Sequence, residues 1–201
     1  MFKPDVSGIE KNNFKFSAIP NVESEKIILL LIPDRYADQL ERIRFGDKVA
    51  EWGYGTVTCV VSSKETERIR NLEFGRLSSV LEMMDNELKL LKIFNITLLA
   101  MDELAGLGLL ICLMDFNISK VMLLNPLFCQ GVSTKLSRIE LPTFILYSGN
   151  SKTPSASSSR KYHDLIAGSI LHNMPDAPME EMLAKKTQFF SYLKAFLAND
   201  Q

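Results

Sequence analysis

Seven short runs rich in isoleucine, leucine and valine, at residues 14–19, 26–32, 56–61, 95–100, 120–125, 143–147 and 169–173, are separated by longer amphipathic segments. That alternation is the sequence signature of βα units, in which a largely parallel sheet is covered by helices on both faces. It predicts a three-layer α/β/α sandwich with a mainly parallel sheet.

The segments between the strands read as helices. Leu77, Val80, Leu81, Met84, Leu88 and Leu91 recur at steps of three and four, which predicts a helix over residues 77–93 with one buried stripe. Met182, Leu183, Phe189, Phe190, Leu193, Phe196 and Leu197 give a C-terminal helix a heavy aromatic face that has to pack on the sheet. Residues 148–159, rich in serine with Gly149 and Pro154, read as an exposed loop. No repeat and no long linker divides the chain, so residues 1–201 are expected to form one domain.

Composition narrows the function classes. With 46% hydrophobic and 23% charged residues and a formal net charge of -1, the chain has the balance of a soluble globular protein and no electrostatic footprint for nucleic acid or anionic lipid. The longest apolar run, residues 104–114, is far short of the ~20 residues that a membrane span needs. Cys59, Cys112 and Cys129 are odd in number, lie in or beside core elements and lack metal-ligand spacing. The expectation is a cytoplasmic protein with reduced cysteines, no metal and no cofactor, and with neither nucleic acid nor membrane as partner.

One family accounts for the order of these pieces from about residue 14 to residue 198. Ile27 to Ile32 running into Pro33-Asp34 is similar to the apolar strand and His-Gly turn of the α/β-hydrolases. Lys48 to Val57, with Gly53 as a left-handed helix stop and Tyr54 leading into the sheet, is similar to their helix end and next strand. Leu98-Leu99-Ala100-Met101-Asp102-Glu103-Leu104-Ala105-Gly106 stands where that family carries Gly-x-Ser-x-Gly, and Gly106 and Gly108 suit a helix lying close to the strand before it. Val121 to Pro126 resembles the strand after the nucleophile helix, and Leu141 to Gly149 the strand before the acid loop. Only about fifteen residues separate Asn125 from Leu141, which implies an α/β-hydrolase-like domain with no lid.

Carried over position by position, the resemblance implies a degenerate site. The nucleophile position falls on Asp102, the acid on Lys152 and the histidine on Pro178 or Met179. Neither of the last two can move a proton, and a serine hydrolase needs an imidazole base oriented by a carboxylate. Pro33, Asp34, Met101 and Glu103 would line the vestigial pocket, where the Asp34 carboxylate opposes a developing oxyanion. With the imidazole gone, two readings of Lys152 are open: it reaches toward Asp102, directly or through a water, as an ionic tie, or it points into solvent from the serine-rich loop.

Asp102 admits two further readings. Haloalkane dehalogenases and epoxide hydrolases, of the same superfamily, use an aspartate nucleophile at this position, but that chemistry needs a base-activated water and a cap domain. The Asp102-Glu103 pair also suits the polar start of a helix. His163, at a helix start after the serine loop, and His172, inside the last strand, read as structural. No residue is assigned a catalytic role. The expected function is a catalytically degenerate protein that binds a partner protein or small ligand. An active esterase or thioesterase with non-standard machinery around Asp102, and a dimerisation domain, are the alternatives.

Overall fold

A computed structural model describes residues 9–11, 14–19, 24–70, 74–148, 155–174, 183 and 186–198. Its strands are β1 Ile9–Lys11, β2 Phe14–Ile19, β3 Lys26–Pro33, β4 Gly55–Val61, β5 Asn95–Met101, β6 Ile118–Leu124, β7 Thr143–Ser148 and β8 Ile170–Met174. They form one eight-stranded sheet in the order β1-β2-β4-β3-β5-β6-β7-β8. β1 and β2 are antiparallel to their neighbours, and every pairing from β4 to β8 is parallel. The helices are α1 Ala37–Arg42, α2 Phe45–Ala50, α3 Ser63–Arg70, α4 Phe74–Leu88, α5 Ala105–Ile111, α6 Ser155–Leu165 and α7 Lys186–Ala198.

β3 sits mid-sheet and is apolar from Ile27 to Pro33 because both of its faces are covered. Side chains alternate along a strand. Ile28, Leu30 and Ile32 join Leu40 of α1, Phe45 and Val49 of α2, and Phe189, Phe190 and Leu193 of α7 in one core. Leu29 and Leu31 join Ile69 of α3, Met84 and Leu88 of α4, Leu107 and Ile111 of α5, and Tyr162 of α6 in the other. The expected aromatic face of the last helix is buried: Phe45 meets Phe190 at 6.0 Å between ring centroids, and Phe144 meets Phe196 at 5.6 Å. The buried Lys120 ammonium donates to the Leu197 carbonyl at 2.8 Å, placing a cation on the carbonyl end of α7.

Several expectations need correction. The helix expected over residues 77–93 begins earlier, at Phe74, and changes to a 3-10 turn over Lys89–Ile93; the Leu77 and Met182 side chains lie outside what is described. The serine-rich segment is no exposed loop where it is described. Ser148 ends β7, residues 155–165 form α6, and Ser155, Ser158 and Ser159 are buried. Serine is small enough to let a helix close on the sheet, so a composition that reads as a loop marks a close packing surface here. His163 consequently lies in the last turn of α6 rather than at a helix start.

Other local features agree with the sequence. Gly53 has φ +84°, and the Tyr54 N–H returns to the Val49 carbonyl at 3.1 Å. The segment between β6 and β7 carries only the 3-10 turn Gln130–Arg138, with no inserted domain. Among the described residues no helix is long and apolar enough to cross a membrane.

Candidate functional site

β5 ends at Met101, and the chain turns at once into the 3-10 turn Asp102–Leu104 and then α5. The turn is made by Asp102 at φ +47°, a left-handed conformation that aspartate tolerates better than most side chains. Two glycines let α5 close in behind it. A Cβ on Gly108 would lie 2.8 Å from the Ala100 Cβ, and one on Gly106 would lie 2.6 Å from the Cys129 Cβ. The Asp102 carbonyl accepts from the Leu127 N–H at 3.0 Å, which ties the turn to the segment following β6. Tyr162 extends the tie, its hydroxyl donating to the Leu127 carbonyl and accepting from the Cys129 N–H, each at 3.1 Å.

The Asp102 side chain points toward the end of β3. Its Oδ2 accepts from Arg35 Nη2 and from the Tyr36 hydroxyl, both at 2.6 Å, and the same Nη2 reaches Oε2 of Glu103 at 2.5 Å. The guanidinium also lies over the Tyr36 ring, 4.9 Å from its centroid. Asp102 is 0% exposed, against 34% for the Arg35 side chain and 15% for that of Glu103. The arrangement is a buried carboxylate roofed by a partly exposed cation. Oδ1 of Asp102 is buried with no hydrogen-bond partner among the described residues.

These contacts set the titration of the cluster. Burial pushes the Asp102 carboxyl above its ordinary value, against the lowering pull of Tyr36 and Arg35. Burial and then the Asp102 charge push the Tyr36 phenol up. Burial alone would lower Arg35, but its interactions with Tyr36, Asp102 and Glu103 more than offset that and hold it fully charged.

The structure brings together some of the residues singled out from sequence. Met101 ends β5, Asp102 and Glu103 open the turn, and Pro33 closes the neighbouring strand β3. Asp34 is exposed and accepts from both the N–H and the hydroxyl of Ser63, at the start of α3. Burial works to raise the Asp34 carboxyl, yet the Ser63 donors, the Arg35 N–H and the Arg35 charge hold it below its usual value. Lys152, Pro178 and Met179 lie outside the described residues, as does Ser151. The acidic pair does open a helical turn, but neither carboxylate caps a backbone N–H there.

Neither histidine is bonded to the turn. His163 Nδ1 lies 2.9 Å from the Ser169 hydroxyl, and His172 Nε2 lies 2.8 Å from the Tyr192 hydroxyl with its ring against Phe144. The cysteines are free, and burial pushes all three thiols up, away from the reactive thiolate. Among the described residues no group of three or more His, Cys, Asp or Glu is placed to hold a metal ion.

Sequence reasoning missed Arg35 and Tyr36. The signal was present: they follow Pro33-Asp34 directly, at the strand end that the resemblance sets beside the nucleophile turn, and a buried Asp102 requires a donor from somewhere near.

No family model matches the sequence, and no curated protein is similar to it. Similarity lies in the fold. A predicted CIB-like hydrolase from Thermoplasma acidophilum superimposes with a TM-score of 0.75 at 14% identity, over 96% of each chain. An esterase from Exiguobacterium antarcticum gives 0.70 at 13% identity, over 91% of this chain and 94% of that one. An α/β-hydrolase enzyme from the metagenome of lagoon sediments at Mar Chica, Morocco, gives 0.65 at 12% identity, over 94% of this chain and 96% of that one. Sheet order, the turn at Asp102 and these superpositions agree: the chain has the α/β-hydrolase fold.

Proposed function

We propose that this is a catalytically degenerate α/β-hydrolase-like protein that acts by binding a partner protein or small ligand rather than by turnover. The observation that carries the reading is the state of Asp102. A nucleophilic carboxylate needs an oxygen open to substrate, whereas Oδ2 is shared by Arg35 and Tyr36 and the residue is fully buried. Hydrolysis of an ester formed on a carboxylate also needs a base to activate water. Both histidines are engaged with hydroxyl groups of other elements. Arg35 supplies a fixed cation where catalysis needs a proton carrier. Lys152 remains a candidate second cation for the cluster, whose two carboxylates outnumber the single guanidinium.

A second reading, an active esterase or thioesterase working through Asp102, is favoured by the left-handed φ of the turn and by the unpartnered Oδ1. The two separate in one experiment. A panel of activated esters and thioesters is assayed with wild type and Asp102→Asn, alongside a pull-down from native extract. The binding reading expects no turnover that depends on Asp102 and a specific co-purifying partner or a saturable ligand; turnover abolished by Asp102→Asn supports the alternative.

A further inference from the structure

A cavity of about 610 Å³ opens between α1, the start of α2 and strands β2, β4 and β3, and it shares no lining residue with the Asp102 turn. Its floor follows from strand register. Ser17 of β2 lies across from Thr58 of β4, which lies across from Leu30 of β3. Thr56 and Thr58 face the same way because side chains alternate along β4. The cavity wall includes Asp38 and Glu41 of α1, and Arg44 and Asp47 at the corner into α2.

Two independent features point to a ligand. The first is Thr56, 3% exposed, whose hydroxyl has no hydrogen-bond partner among the described residues although it lines the cavity. A buried hydroxyl left unsatisfied is costly, and it can both donate and accept. The second is charge. Arg44 is taken up by Asp47 at 2.7 Å. Asp38 and Glu41, three residues apart on one side of α1, are left with no ion-pair partner among the described residues.

We propose that this cavity binds a small organic amine. Its cationic head sits between Asp38 and Glu41, its apolar body lies against Leu30 and Leu40, and a polar substituent reaches Thr56. The volume is in the range of small-molecule sites, roughly 300–1,000 Å³. The proposal rests on the binding reading above and gives it a site and a ligand class.

Calorimetric titration with 4-(4-hydroxyphenyl)butylamine, whose phenol supplies the polar substituent, and with 4-(4-hydroxyphenyl)butyrate as the anion of the same carbon skeleton, tests it. The amine is expected to bind saturably and at least tenfold more tightly than the acid. The Asp38→Asn, Glu41→Gln double variant is expected to lose at least tenfold in affinity, and Thr56→Val severalfold. Both carboxylates are on exposed residues, so the double variant keeps its fold even if Thr56→Val does not. No saturable amine binding, equal binding of amine and acid, or undiminished binding by the double variant overturns the proposal. Ester turnover through Asp102 would overturn the reading above and leave amine binding intact, so the two failures are distinguishable.

Discussion

The Tyr36 hydroxyl donates at 2.6 Å to the Oδ2 of Asp102, across 66 positions of sequence, onto the oxygen that also takes the Arg35 guanidinium. Two consecutive residues of the 3-10 turn Asp34–Tyr36, directly after β3, thereby fix the side chain of the turn after β5, and β3 and β5 are hydrogen-bonded neighbours in the sheet. The cluster is a brace between two central strand ends, built where the resemblance places a reaction centre.

The brace predicts an asymmetric mutational pattern. Arg35→Met leaves Asp102 buried with only Tyr36 as donor and is expected to cost about 3 kcal/mol, the lower end for breaking a buried pair, since Arg35 is partly exposed. Tyr36→Phe is expected to cost about 1–3 kcal/mol through the unsatisfied carboxylate. Chemical denaturation of the single variants and of Arg35→Met with Asp102→Asn checks this. Coupling between Arg35 and Asp102 is the expected result, and additive losses contradict the pair.

Reinstating the hydroxyl is expected to do nothing for catalysis. Asp102→Ser places a serine on the left-handed turn without a base beside it, and removing triad partners from serine hydrolases costs several orders of magnitude. Ester hydrolysis by Asp102→Ser should match that of buffer; a saturable rate above it would reveal a base beside the turn.

Alkaline stability should carry the signature of Tyr36. Its phenol is held above the ordinary 10.0, so above that pH the unfolded chain releases a proton that the folded one keeps. Protons bound are then fewer in the unfolded state, and stability falls as pH rises, by up to about 1.4 kcal/mol per pH unit for one group. Tyr162, also pushed up by burial, acts in the same direction. Unfolding free energies of wild type and Tyr36→Phe, measured from about pH 9 to about pH 11, should converge, with the shallower decline in the variant. Parallel declines contradict the assignment.

Close packing behind the turn gives a further test. Gly108→Ala is expected to destabilise by about 1–3 kcal/mol through overpacking against Ala100 and Leu98. Gly53→Ala meets no atom within 4 Å and should be destabilising only through its positive φ, by about 1 kcal/mol. A thermal midpoint for Gly108→Ala at or above wild type would contradict the packing.

Much of this architecture was legible because parallel strands covered on both faces must be apolar throughout, as residues 27–33 are. β1 was not legible: Ile9–Lys11 is three residues long and carries two charges. Helix α6 was hidden because its buried face is serine, a residue whose composition signal favours loops. At the site, Asp102 and its turn could be read from the order of neighbouring strands, while its partners could not. Arg35 and Tyr36 lie 67 and 66 residues earlier, and only the adjacency of β3 and β5 brings them to it.

The central claim is that Asp102 is a braced structural carboxylate and not a nucleophile. Its most direct test is the mass of the Asp102 peptide after prolonged incubation of the wild-type protein with 1-iodobutane. A nucleophilic Asp102 displaces iodide and forms a butyl ester, which accumulates when no base activates water to hydrolyse it. The account predicts an unmodified peptide. A butyl ester on Asp102 that is absent from Asp102→Asn would contradict it.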